Sequence, residues 1–375
     1  MSPATIVDRL VADFAARFGG APEVVVRSPG RVNLIGDHTD YNDGLALAMA
    51  IERAVWVAAR RRDDRVVHAE STSEPNPVRF GLDDLDRSRR GWGAYLEGVS
   101  HVLRDGLVGW DGLVTADLPI GAGLSSSAAL ELATARVFAE LGGLGWDPRA
   151  MAEACRRAEN EWVGMQSGIL DQFSSALAEA GTAMLIDFAD RSVRHVPLPE
   201  GVAVLVLDTS TRRGLVDSAY NARRAECRSA AEALGVESLR EADPDQLGSL
   251  PMPERARARH VLTENEAVRG VVAAFEADDL AAAGRWFATS HRSLRHDYEV
   301  STEALDVMVA AAEAAGCFGA RLTGAGFGGS VVALAPANRA GAVLERAVAA
   351  FGEATDLPGT GFVAEPAGGT SVVVP

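Results

Sequence analysis

The stretch from Leu113 to Leu141 constrains this chain more than any other. An apolar run, Leu113 to Leu118, has the length and composition of a strand. It passes through Pro119-Ile120-Gly121-Ala122-Gly123-Leu124-Ser125-Ser126-Ser127 into a long helical stretch, Ala128 to Leu141. The two glycines let the backbone come close to a ligand. The three serines bring hydroxyls to a helix N-terminus, where free N–H groups and the helix dipole attract anions. No acidic residue precedes Glu131 in the helix, so a bound phosphate fits the first turn. The ordinary alternative is a Ser-capped helix after a glycine turn.

A second stretch is as unusual. The run Val24-Val25-Val26 reads as a strand and feeds Ser28 to Gly44, which sets Arg31, Asp37, His38 and Asp40 within one Gly- and Pro-bounded segment. Such a cluster binds a metal, grips a ligand covered in hydroxyl groups, or forms a solvated turn with one arginine-carboxylate pair.

At 375 residues the chain is long enough for two associated domains. The boundary falls near Pro197 to Gly201, where Pro-Leu-Pro-Glu-Gly interrupts the pattern, giving domains 1–198 and 199–375. A formal net charge of −16 argues against binding nucleic acid or an anionic membrane surface. No uninterrupted apolar run approaches the ~20 residues needed to cross a bilayer. Cys155, Cys227 and Cys317 are widely spaced and unpaired by motif, which fits reduced thiols in the cytoplasm.

The chain has no lysine, and all 36 of its basic Lys and Arg positions are arginine. That excludes the lysine-bearing P-loop, the protein-kinase strand lysine, Schiff-base aldolases and pyridoxal phosphate enzymes.

Elsewhere, Val7 to Phe18 has helical periodicity. Leu45 to Ile51, Ala54 to Ala59 and Val66 to His68 read as strands. Gly91-Trp92-Gly93 opens a helix, with Trp92 either packing in the core or contacting a planar ligand. A helix from Pro148 to about Val163 carries Glu159, and Gly168-Ile169-Leu170-Asp171-Gln172 enters the next. Strands Ala183 to Ile186 and Val202 to Leu207 precede an Arg-rich helix start at Ser218 to Cys227. Helices fill Pro253 to Phe275, Leu280 to Leu294 and Thr302 to Ala315. His260, His291 and His296 on or near these helices are read as core or surface residues. Thr323-Gly324-Ala325-Gly326-Phe327-Gly328-Gly329-Ser330 separates strands Gly319 to Leu322 and Val331 to Leu334. It is a hairpin with a bulge, or a backbone made to lie flush against another loop or a ligand. Val372 to Val374 reads as an edge strand.

Taken together these stretches resemble the galactokinases of the GHMP small-molecule kinase family. Gly30-Arg-Val-Asn-Leu-Ile-Gly-Asp-His-Thr-Asp-Tyr-Asn42 is similar to the galactokinase signature, Pro119 to Ala129 to the family's phosphate loop, and Thr323 to Gly329 to its C-terminal glycine motif. Ala158-Glu159, Gly168 to Gln172 and Tyr220 to Cys227 also fit.

The resemblance implies an α+β fold of two domains with the active site in the cleft between them. The N-terminal domain would hold a mixed sheet with a left-handed β-α-β unit, and the C-terminal one would be ferredoxin-like. It implies ATP-dependent phosphorylation of the C1 hydroxyl of galactose, with Mg²⁺ as cofactor and a monomer rather than an obligate oligomer.

By the same resemblance, Asp171 is the catalytic carboxylate and Arg31 stabilises charge beside it. Asp37, His38, Asp40, Gly168 and Tyr220 bind the sugar. Gly121, Ala122, Gly123, Leu124, Ser125, Ser126 and Ser127 wrap the ATP phosphates, Trp92 lies near adenine, and Ser127 and Glu159 hold Mg²⁺. None of these parts requires a lysine, because phosphoryl transfer is largely positioning and charge stabilisation.

The sequence departs from the family at three places. Asp37 stands where the family usually has glutamate, shorter by one methylene or on the order of 1.3 Å. That carboxylate looks toward the sugar 6-hydroxyl in the family, so a bridging water or an altered C6 end of the pocket is implied. Thr211 to Leu215 lacks the histidine commonly found near Arg213, and Ala219 replaces a common glutamate. A kinase for arabinose, N-acetylgalactosamine or a C6-modified sugar is one alternative. A non-catalytic galactose and ATP sensor is the other, although sensors tend to have a damaged phosphate loop and this one is intact.

Overall fold

The computed structural model describes residues 3–119, 123–165, 167–211 and 216–374. Helix α1 (Pro3–Phe18) places Ile6, Leu10 and Phe14 on one face, as its period requires, and buries them against Val25, Trp56 and Leu113 of the first sheet. The sheet is built on β1 (Val24–Ile35) and β2 (Leu45–Arg61), paired antiparallel over most of their lengths.

β2 is one continuous strand, where the sequence pattern suggests two separated at Glu52 and Arg53. The polar pair does not end it, because the guanidinium of Arg27 binds the carbonyls of Ile51 and Glu52 at 3.1 and 3.0 Å, and Glu52 N–H donates to Glu365 O. The strand serves two sets of partners. Its first part pairs with β6 (Thr182–Asp187) and its second with β5 (Trp110–Ala116).

Between β2 and β5 lie β3 (Val66–Ser71), β4 (Val78–Gly81) and α2 (Trp92–Leu103), with β3 and β5 parallel. The remaining described pairings are antiparallel, so the sheet is mixed, in the order β12-β1-β2-β5-β3-β4, with β12 spanning Ser371–Val374. β6 and β7 (Ser192–Pro197) form a hairpin beside β2. Helices α3 (Ser126–Gly142), α4 (Pro148–Arg157) and α5 (Leu170–Leu177) cover the inner face through Leu132, Val137, Phe138 and Phe173. α4 starts at a sharp boundary, with Asp147 accepting from the N–H groups of Arg149 and Ala150 and Pro148 at the first position. Its expected continuation to Val163 is present, but residues Ala158–Val163 wind as a π-helix, the wider turn that carries Glu159.

The chain leaves the first sheet at Pro197 and enters the second at β8 (Val202–Asp208). α6 (Val216–Leu234), α7 (Glu254–Glu276), α8 (Leu280–His296) and α9 (Glu303–Ala314) follow. Next come β9 (Gly319–Thr323), β10 (Ser330–Pro336), α10 (Ala340–Thr355) and β11 (Thr360–Ala364). The order β11-β8-β10-β9 in an antiparallel sheet, with helices after the first and third of its strands in sequence, is the ferredoxin-like arrangement.

The two halves are fastened together twice. α7 contributes Ala258 and Val261 to the second core and Val268, Val271 and Phe275 to the first. β12 (Ser371–Val374) then returns to the first sheet and pairs with β1 as its edge strand.

Candidate active site

The site is assembled where β1, the start of α3 and the start of α5 converge. Gly30 is required by this approach. A Cβ there would come within 2.8 Å of Leu124 O and run into Leu118, whereas glycine lets Arg31 N–H donate to Leu124 O at 3.1 Å.

Arg31 then uses its whole guanidinium. Nε donates to Asp171 Oδ1 at 2.8 Å, Nη2 lies 2.6 Å from the same oxygen, and Nη1 donates to Gly123 O at 2.6 Å. One side chain thus ties the carboxylate on α5 to the glycine turn before α3. The fork geometry of arginine suits this double task, which a lysine could not perform.

Ser125 occupies the N-cap position of α3 with φ +59°, the left-handed region, and its hydroxyl donates to Asp171 Oδ2 instead of capping the helix. The start of α3 therefore has no side-chain cap, and its first turn has no acidic residue. A helix start of this kind, with neither a side-chain cap nor a carboxylate in its first turn, has the chemistry to take an anion. Leu124 is buried in the main core, with its carbonyl oxygen taken by Arg31 N–H. Gly121 and Ala122 lie outside the described residues.

Around Asp171 the expected sugar residues divide into two groups. Asp40 lies against Gly168, where any Cβ would overlap its carboxylate, so glycine is what allows the approach. Burial first, and then the charge of Asp171, push the Asp40 carboxyl up to about 6. Burial also raises the Tyr220 hydroxyl, with Asp40 and Asp171 adding to the shift, which places these three groups within electrostatic reach of one another. The Tyr220 ring lies 5.4 Å from Tyr41 and 5.5 Å from His38.

Asp37 and His38 form the second group, and their side chains are engaged by protein. Asp37 Oδ1 accepts from Asn33 Nδ2 at 2.8 Å and from Gly324 N–H at 3.1 Å, and Oδ2 accepts from Arg321 Nη2 at 2.7 Å. His38 has φ +64°, and its ring nitrogens meet Tyr41 Oη at 2.8 Å and Ala325 O at 3.1 Å.

The glycine motif of residues 323–330 is both a β9-β10 hairpin and a close neighbour of this loop. Gly324 and Ala325 touch Asp37 and His38 directly, and Thr323 Oγ1 donates to Asn33 O at 2.7 Å.

Glu159 is buried beside Asp171. Its Oε2 accepts from Ser167 Oγ at 2.5 Å and Gln172 Nε2 at 3.0 Å, while Ser127 hydrogen bonds to the same carboxylate. Burial pushes the Glu159 carboxyl up, the Ser167 bond opposes it, and Asp171 adds to it. Gln172 also reaches Glu131 Oε2 at 3.2 Å, on the fully buried face of α3. Among the described residues no cluster of three or more His, Cys, Asp or Glu is arranged to hold a metal. Mg²⁺ asks for less, since it keeps waters and shares phosphate oxygens with one or two protein ligands, and the Ser127–Glu159 pair has that chemistry. Trp92 opens α2, partly buried against the main core.

Several contributors are not evident from sequence: Ser125 as a partner of Asp171, Gln172 and Glu131 behind Glu159, and Arg321, Glu264, Asn33 and Tyr298 behind the 28–44 segment. Arg321 did carry a signal, a lone charge in the otherwise uncharged strand Gly-Ala-Arg-Leu-Thr, which is unusual unless a buried partner awaits it.

Residues 12–61 match the family model described as the galactokinase galactose-binding signature, residues 94–179 the GHMP kinases N terminal domain, and residues 271–354 the GHMP kinases C terminal. The chain is 44% identical to a galactokinase of Roseiflexus sp. (strain RS-1), over 96% of each chain. It is 41% identical to a galactokinase of Homo sapiens over 87% of each. The crystal structure of Lactococcus lactis galactokinase complexed with galactose superposes with a TM-score of 0.92 at 32% identity, covering 98% of this chain and 99% of that one.

Proposed function

Since the chain belongs to the galactokinases, a branch of the GHMP kinases, we propose that it transfers the γ-phosphoryl group of ATP to the C1 hydroxyl of galactose. The observation that carries this reading is the Arg31–Asp171 pair, held against the uncapped start of α3 and next to Asp40 and Gly168. Donors for phosphate and acceptors for sugar hydroxyls meet across one carboxylate.

In this mechanism the C1 hydroxyl replaces Ser125 as the donor to Asp171 Oδ2. Ser125 is thereby released to the phosphates, along with Ser126, Ser127 and the backbone of Gly121 to Leu124. Asp171 orients the hydroxyl and accepts its proton as the bond from the C1 oxygen to the γ-phosphorus forms and the bond to the bridging oxygen breaks, ADP leaving with that oxygen. Arg31, already bonded to Asp171, offsets the negative charge that gathers on the transferring group. Asp40, Gly168 and Tyr220 hold the sugar, and Asp37 and His38 shape that loop from behind. Trp92 is assigned to the adenine side. Ser127 and Glu159 would hold Mg²⁺, which when bound neutralises phosphate charge. The three free thiols and the net charge support a cytosolic monomer.

The test is ADP release against a panel containing galactose, N-acetylgalactosamine, arabinose and 6-deoxygalactose. Galactose-dependent ADP is expected. Absence of ADP release with every sugar in the panel would sink the kinase reading in favour of a sensor. Retained activity on 6-deoxygalactose fits an Asp37 carboxylate committed to Arg321, Asn33 and Gly324 and not to the C6 end of the sugar.

A further inference from the structure

Behind the sugar loop a single line of hydrogen bonds joins four segments. Ala325 O lies 3.1 Å from His38 Nε2, His38 Nδ1 lies 2.8 Å from Tyr41 Oη, Tyr41 Oη lies 2.8 Å from Tyr298 Oη, and Tyr298 Oη lies 3.1 Å from Cys227 Sγ. The first acceptor determines the direction of every bond. A carbonyl oxygen only accepts, so His38 Nε2 carries the hydrogen and, in the neutral ring, Nδ1 offers a lone pair. Tyr41 must then donate to Nδ1. Its single proton being used, it accepts from Tyr298, and Tyr298 accepts in turn from the Cys227 thiol.

None of the four groups changes protonation near neutral pH. Burial drives His38 down to about 3 and Cys227 up to about 11, and it holds Tyr41 and Tyr298 well above the ordinary tyrosine value. The line of bonds therefore keeps one direction across neutral pH.

We propose that Tyr298 and Cys227 are positioning residues for the sugar, acting through Tyr41 on His38. His38 holds a left-handed backbone, φ +64°, a conformation uncommon for residues other than glycine. Fastening both ring nitrogens keeps it there. Asp40 lies between His38 and Tyr41 in the chain, and the Tyr220 ring packs on both. Displacing the line of bonds therefore moves two groups assigned to galactose and none assigned to ATP. Tyr298 is fully buried after α8 and Cys227 is buried on α6, so the C-terminal half sets the geometry of a loop that belongs to the N-terminal half.

This inference rests on reading the cleft as a galactose site, and its first test needs no sugar. In ligand-free protein labelled with ¹⁵N-histidine, His38 is assigned by the signal lost in His38→Gln. It should be the Nε2–H tautomer and should not titrate between about pH 5 and 8, the range where an ordinary histidine does. The Nδ1–H tautomer, or ordinary titration, would overturn the proposal. The second test is binding of galactose and of ATP, each alone. Tyr298→Phe should weaken galactose about 10-fold and change ATP by less than about 2-fold. Cys227→Ala should weaken galactose roughly 3-fold, and Cys227→Ser, which keeps a donor, should recover most of that. Equal losses for both ligands, or Cys227→Ser as weak as Cys227→Ala, would mark these residues as merely structural. If galactose binds no variant and no wild type, the proposed function fails while the tautomer result stands.

Discussion

Arg321 and Asp37 form an ion pair of 2.7 Å between β9 of the second sheet and the loop after β1, with side-chain exposures of 0% and 5%. The same guanidinium donates to Leu34 O at 3.0 Å, to Glu264 Oε1 at 3.2 Å and to Ser290 Oγ at 2.9 Å. One buried cation therefore organises two carboxylates, a strand end and a helix hydroxyl. Replacing it by Met would leave Asp37 and Glu264 buried without their counter-charge. Loss of one partner of such a network costs about 3–5 kcal/mol. Arg321→Met should lower the thermal midpoint by roughly 5 °C in a melt followed by circular dichroism. An unchanged midpoint would show that water replaces the guanidinium at no cost.

Gly168→Ala tests the close approach of Asp40. The added methyl overlaps the carboxylate, so either Asp40 or the turn before α5 must move. We expect the KM for galactose to rise about 10- to 100-fold with the ATP affinity within about 2-fold, measured by ADP release and by nucleotide titration. Equal loss of both would place Gly168 in the scaffold and not at the sugar.

Asp171→Asn removes the carboxylate held by Arg31 and Ser125 while keeping its shape. Turnover should fall at least ~10³-fold, and ATP binding should persist. Substantial residual activity would assign the proton to another acceptor.

Asp40 gives a prediction about stability and pH. Its folded value of about 6 lies above the ordinary 3.8, so the folded state holds this proton more tightly than the unfolded chain does. Ionisation therefore costs stability progressively as pH rises from 3.8 to 6, and the full cost is present above 6. A shift of about two units is at most ~3 kcal/mol, and partial solvent contact brings it nearer ~1–2 kcal/mol. Asp40→Asn should be more stable than wild type by that amount at pH 7–8, equal to it near pH 3.5, and poor at binding galactose. Urea titrations at the two pH values measure it. A variant less stable at pH 8 would contradict the strained-carboxylate account.

How much of this was legible beforehand depended on distance along the chain. Local periodicity places α8 at Leu280 to Leu294, against the observed Leu280–His296, and the glycine- and serine-bearing turns are legible because their signal lies within a dozen neighbours. The contacts that give those turns their geometry come from far away. Arg31 meets Asp171 across 140 positions and Asp37 meets Arg321 across 284, and no spacing rule reaches so far. The unbroken β2 was hidden for a similar reason. Glu52 and Arg53 look like an interruption until Arg27 is seen to satisfy the carbonyls there. Ser125 looked like a cap because serine usually caps. Its φ of +59° and its bond to Asp171 are tertiary facts.

The return of β12 to the edge beside β1 bears on how the molecule is made. During synthesis the first sheet stays one strand short until residues beyond Ser371 have left the ribosome, because Val374 is the partner of Val25. Until then β1 presents an open flank of unpaired amides and carbonyls to whatever is nearby. A nascent chain of this design has its first sheet completed only by β12, and removing Ser371–Val374 should show first as clumping of newly made protein, before any fall in the catalytic constants of the folded fraction.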